Sequence, residues 1–135
     1  MTRHPDWEKR HNAVVAKHQA LPGQMGVSDC YVIPDDNVEA VTGKRMYPGA
    51  RGYKTASGAG KRLRRDGFSN VREAFAAKFA KIPAILAQRG DIGVIERDGE
   101  VCGGAFTSIG FMTRSEGGPV EYLPVTMVTT AFRVE

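Results

Sequence analysis

Two cysteines and three histidines supply the thiols and imidazoles of this 135-residue chain. Cys30 stands in the stretch Gly26-Val27-Ser28-Asp29-Cys30-Tyr31, after a polar turn and ahead of an apolar segment. A thiol at a helix entrance can be a nucleophile, or it can be a small buried packing residue. A nucleophilic thiol needs a base, because at its free pKa it is only slightly ionised at neutral pH, and the base must come within about 3 Å. No histidine follows His18, so His11 and His18 are the imidazoles available to Cys30. They reach it only if the first helix lies beside it. Asp29 cannot substitute, since a nearby carboxylate raises a thiol pKa.

His4, His11 and His18 are seven residues apart, hence on roughly one helix face, two turns from each other. That is wider than an i, i+4 metal pair, and the spacing reads as a solvated or half-buried face. No CxxC pair is present, and we expect no metal site. Cys102, between Val101 and Gly103, reads as an inert strand cysteine. Two cysteines make no disulfide framework, both stay reduced in a cytosol, and we expect no Cys30–Cys102 bridge.

The elements that must position these groups follow from pattern. Pro5 suits a helix start, and a helix to about Ala20 places Trp7, Val14, Val15 and His18 near one face; Leu21-Pro22-Gly23 ends it. From Cys30 to Val41 the pattern is helical again. Pro34 leaves two starts open: at Cys30 with a kink, or at Pro34 with Cys30 in the preceding turn. Ser28 or Asp29 could cap it. Residues 44–54 read as a loop and 57–65 as a short basic helix. Asn70 and Glu73 resemble a capping box, with Val71, Phe75, Phe79 and Ile82 at helical spacing beyond it. After Gly90 the character changes. Ile92–Ile95, Val101–Phe111, Val120–Leu123 and Thr129–Val134 read as strands, with Asp98-Gly99 as a hairpin turn. The fold class expected is α+β, with N-terminal helices on a small C-terminal antiparallel sheet, in a single domain over residues 1–135.

Composition excludes some functions. Hydrophobic residues make up 41% and charged residues 25%, as in an ordinary globular domain able to bury a modest core. No apolar run reaches bilayer length, and MTRHPDWEKR is no secretory leader, so we expect synthesis in a cytoplasm and no membrane insertion. No GxGxxG precedes a helix, so a nucleotide loop is a poor reading, and no cofactor is expected. Between Gly43 and Gly67 eight basic residues (Lys44, Arg45, Arg51, Lys54, Lys61, Arg62, Arg64, Arg65) face Asp66 alone, a local balance of +7 within a net charge of +4. Tyr47 and Tyr53 are the only aromatics there that could stack on bases, so nucleic acid is an unlikely partner and a solvated face or protein interface is at least as good a reading.

Several landmarks together resemble those of small phage and prophage proteins distantly similar to the NlpC/P60 cysteine peptidases of phage tail tips. They are Trp7, Gly26 followed by Asp29-Cys30, Thr42-Gly43, Arg51-Gly52-Tyr53, Ala59, Gly90-Asp91, and Ala131-Phe132-Arg133-Val134. The resemblance implies a papain-like α+β fold in which Cys30 holds the nucleophile position and Gly90-Asp91 opens a strand. The histidine expected on the next strand is missing; the sequence there reads Glu100-Val101-Cys102-Gly103-Gly104.

Three readings follow. The first is a phage tail or tail-tip structural or assembly component on a degenerate hydrolase fold. It would be resident in the virion and in contact with other tail proteins, and at the tip with the bacterial cell wall. Asp29, Arg51, Gly52, Tyr53, Lys61, Arg62, Arg64, Arg65, Gly90 and Asp91 would then be structural or interface residues. The second is an active peptidoglycan-peptide hydrolase using Cys30 with His11 or His18. The third is a nucleic-acid module using residues 44–65.

Overall fold

A computed structural model describes residues 2–135. The chain is α+β. Four helices, α1 (Trp7–Ala20), α2 (Val32–Thr42), α3 (Ala56–Arg65) and α4 (Val71–Ala76), accompany six antiparallel strands. These are β1 (Lys81–Ile82), β2 (Ile92–Arg97), β3 (Glu100–Thr107), β4 (Gly110–Thr113), β5 (Glu121–Leu123) and β6 (Thr130–Phe132), in the order β1-β6-β2-β3-β4-β5. The expected fold class therefore holds.

The hairpin between β2 and β3 turns at Asp98-Gly99, where both residues have positive φ (52° and 78°), as a tight two-residue turn requires. The apolar stretch 101–111 is not one strand. It breaks at Ser108-Ile109 into the β3–β4 hairpin, paired only over Ala105–Thr107 and Gly110–Met112. Residues 101–103 of β3 thus lie beyond the β3–β4 ladder, and the Thr113 hydroxyl of β4 reaches them by donating to the Gly103 carbonyl at 2.8 Å.

The helices cover one face of the sheet. Ile33, Val38 and Val41 of α2 join Phe75 of α4, Ile92 and Val94 of β2, Ala105 of β3 and Phe132 of β6 in the main core. Phe75 and Phe132 meet edge-on, ring centroids 6.0 Å apart. A smaller cluster on the other face holds Ile95, Phe106, Phe111, Val128 and Ala131, with Cys102 packed at its margin.

Three helical expectations change. The α2 helix starts at Val32, so Pro34 lies in its first turn, where a missing N–H leaves no intrahelical bond unmade. Cys30 accordingly sits in the turn before the helix. The expected helix from Asn70 through Ile82 stops at Ala76. Its cap forms as read, Glu73 N–H donating to Asn70 Oδ1 at 3.1 Å. Beyond it, however, Lys81 and Ile82 pair with Phe132 and Ala131 as an edge strand. The histidine face of α1 is not solvated: His11 and His18 are buried completely, against α2.

Candidate functional site

The turn before α2 is built around Asp29. Its Oδ1 accepts from the backbone N–H of Tyr31 and Val32, both at 2.8 Å, closing the helix start. Its Oδ2 accepts from Gly26 N–H and from the Tyr53 hydroxyl, each at 2.7 Å. Burial and the Asp29 carboxylate push the Tyr53 phenol well up, so it remains a donor. All four acceptor positions of Asp29 are taken by the fold, and Cys30 is left without a base on that side.

Cys30 lies against β3 beyond its ladder with β4. A side chain at Gly103 would overlap the Cys30 carbonyl and crowd the Phe75 ring, so glycine is what permits the approach. The Cys30 and Cys102 side chains act on each other, and the Gly103 backbone N–H also acts on the Cys30 sulfur. Neither cysteine is in a disulfide and both are half-buried. The hydrogen bond to Cys102, then burial, raise Cys30 well above the ordinary thiol range. The same hydrogen bond, helped by Arg97 against some burial, lowers Cys102 to about 7. The two thiols titrate as a pair, and both shifts favour the thiolate on Cys102 over Cys30.

The histidines are committed elsewhere. His18 Nε2 donates to Asp36 Oδ2, since a carboxylate only accepts, and its Nδ1 meets the Ser28 hydroxyl, both at 2.7 Å. Arg114 also donates to Ser28, at 2.8 Å, and to the carbonyls of His18 and Leu21, locking the end of α1 to the strand end. His11 Nδ1 donates to Asn37 Oδ1 at 2.6 Å, while Asn37 Nδ2 donates to the Gly90 carbonyl. Burial holds His11 below the ordinary imidazole range despite that bond. The structure therefore brings neither His11 nor His18 to Cys30 as a base. No histidine is among the groups that act on its thiol.

Arg51 turns inward, away from the rest of the basic segment, and its partners are carboxylates rather than the backbone carbonyls its guanidinium could also satisfy. It bridges Asp35 (2.9 Å) and Asp36 (2.5 Å), both buried on α2. Burial would raise Asp36, but hydrogen bonds from His18, Lys17 and Arg51 outweigh it and hold the carboxyl far below its usual range. Asp35, deeper and with fewer donors, is raised by burial over the pull of Arg51. Arg45 pairs with Glu39 at 2.9 Å. Arg62 donates to the carbonyls of Gly49 and Arg51. Lys44, Lys54, Lys61, Arg64 and Arg65 are the exposed remainder of the patch. Gly52 is exposed with φ 108°, a turn conformation rather than a contact. Gly90 and Asp91 anchor the sheet to the N-terminus: Asp91 Oδ1 accepts from Arg3 (2.8 Å) and Val134 N–H (2.9 Å), and Oδ2 from Gln88 N–H.

Beside Cys30, between the turn before α2, helices α3 and α4 and the end of the β2–β3 hairpin, opens a cavity of about 430 Å³, lined by Tyr31, Tyr47, Tyr53, Leu63 and Phe68 among others. Tyr31 is buried, and its hydroxyl has no partner among the described residues. Ala56, Ala59 and Gly60 of α3 leave the space open by their small size. Sequence reasoning missed Tyr31 and the pairing of Cys102. It also missed Asp35-Asp36-Asn37 as a buried polar run; three consecutive polar residues inside an apolar helix were the available signal.

The chain is thus an α+β domain whose cysteine before α2 lines a mainly apolar cavity and interacts with a second cysteine on β3. The chain belongs to the family described as a domain of unknown function, DUF6950, which matches residues 2–134. No curated protein and no solved structure matched.

Proposed function

We propose that the chain is a non-hydrolytic structural or assembly component of a phage tail, built on a papain-like, NlpC/P60-like scaffold whose catalytic machinery has degenerated. The observation that carries the non-hydrolytic part is the partner of Cys30: a thiol, with no imidazole acting on it. Acyl transfer from Cys30 needs that sulfur activated and an acid to protonate the leaving amine; its thiol is instead raised, and no imidazole lies among the groups that act on it. An exposed apolar patch supports an assembly role. Ile85 and Leu86, on a 3-10 turn over Ala84–Leu86, and Val125 and Met127, on another over Val125–Met127, are 38–85% exposed. The two turns contact each other. Adjacent exposed apolar side chains of this size mark a protein interface. The phage context rests on the sequence landmarks alone.

The test has two parts. The intact chain, incubated with peptidoglycan peptides, leaves them uncleaved; cleavage that disappears in Cys30→Ala contradicts the proposal. A tagged chain expressed during phage production sediments with tails; a chain that stays wholly in the soluble fraction contradicts the tail assignment. The second reading, a hydrolase, is favoured by the cavity that opens at Cys30, and the first part decides against or for it.

A further inference from the structure

Cys30 and Cys102 are brought together by two elements far apart in sequence, the turn before α2 and the part of β3 beyond its ladder with β4. Gly103 makes the approach possible by having no side chain where the Cys30 carbonyl lies. Both sulfurs are free and neither residue is fully buried. Cys30 lines the cavity, and Cys102, packed at the margin of the cluster on the other sheet face, is itself only half-buried, so each member of the pair has its own access to solvent.

We propose that Cys30 and Cys102 form a dithiol exchange site for small-molecule disulfides, closing to an intramolecular disulfide. The Cys102 thiolate attacks one sulfur of the disulfide RSSR, forming Cys102–S–S–R and expelling RS⁻. Cys30 then gives up its proton and attacks the Cys102 sulfur, forming the Cys30–Cys102 bond and expelling the second RS⁻. The two protons of the cysteines end on the two leaving thiolates. The dithiol is oxidised by two electrons and RSSR is reduced to two RSH. Attack at Cys102 comes first because its interaction with Cys30 and the nearby Arg97 both favour its thiolate. Closure requires the Cα atoms within about 7 Å; the Cys30 backbone packs against Gly103, the residue next to Cys102. This inference is independent of the tail assignment.

The experiment uses the full-length reduced chain and glutathione disulfide as the probe, with acid quenching, intact mass and peptide mapping. The expected product has lost two hydrogens and yields a Cys30–Cys102 linked peptide. In Cys30→Ala the first step is trapped, as a glutathione adduct on Cys102. Phenylarsine oxide, which bridges neighbouring thiols, is taken up by the native chain, and uptake is lost in both Cys30→Ala and Cys102→Ala. A native chain carrying separate glutathione adducts on both cysteines, with no linked peptide, overturns the proposal. So does a native chain that stays reduced while the urea-unfolded chain reacts. The wild-type peptide map decides even where a variant fails to fold.

Discussion

The Tyr53 hydroxyl donates to Asp29 Oδ2 at 2.7 Å, tying the loop after α2 to the turn that begins it. Asp29 stands next to Cys30, yet its carboxylate is saturated by this bond and three backbone N–H groups. The residue beside the thiol thus shapes the turn, and it does not take part in proton transfer.

Tyr53→Phe removes one hydrogen bond to a charged, buried acceptor and is expected to cost about 1.5–3 kcal/mol. Asp29→Ala removes all four and is expected to cost more. Urea unfolding checks both. A Tyr53→Phe change within experimental error of zero would show that water replaces the phenol and that the loop is not held there.

Arg51→Ala leaves Asp35 and Asp36 buried with their shared cation gone, an expected loss of about 3–5 kcal/mol. Arg64→Ala, on the exposed side of α3, is expected to stay within about 0.5 kcal/mol. Equal effects of the two substitutions would place Arg51 on the surface with the rest of the basic segment.

Stability is expected to fall on acidification in two windows. Folding lowers the pKa of His11, so below about 6.5 the unfolded chain takes up a proton that the folded one refuses. The stability due to neutral His11 is present above that pH and declines below it, by at most about 1.4 kcal/mol per pH unit. Folding also depresses Asp36, whose contribution is present above its unfolded value of 3.8 and is lost as pH falls toward its folded value. Denaturant midpoints between pH 8 and 3 check this. His11→Gln should flatten the upper window, and an unchanged slope in that variant would contradict the assignment.

Gly103→Ala drives a methyl group into the Cys30 carbonyl and the Phe75 ring, where backbone cannot yield as a side-chain tip would. The expected cost is at least about 1–3 kcal/mol, the range of core overpacking. Gly49→Ala meets open space at an ordinary φ and should be neutral or slightly stabilising. Thermal unfolding compares the two; equal midpoints would mean that Cys30 is not held against β3.

Much of the fold was readable from local pattern. Asp98-Gly99 marked its hairpin, Asn70 and Glu73 marked a cap, and the strands after Gly90 alternated or ran apolar as strands do. Reading failed where tertiary pairing overrode local pattern. Ile82 continued the spacing of Val71 and Phe75, but the unpaired edge of β6 claimed it. His11 and His18 read as a solvated or half-buried helix face and are fully buried, because sequence does not show that Asn37, Asp36 and Ser28 wait on the other side. Arg51 counted among eight basic residues, but its role was set by two carboxylates that the same sequence placed in the apolar α2. Cys30 approaches β3 beyond the point where its pairing with β4 ends, at Ala105, a register fact with no local signature.

The measurement that tests the central claim most directly is the alkylation rate of each cysteine against pH, resolved by peptide mass spectrometry in the native chain. The account predicts that Cys102 reacts first, with a midpoint near 7, and that Cys30 titrates above the ordinary thiol range and drops back toward it in Cys102→Ala. A Cys30 that titrates below the ordinary range, ahead of Cys102, and loses that shift in His11→Gln or His18→Gln would contradict it and restore a catalytic thiol–imidazole pair.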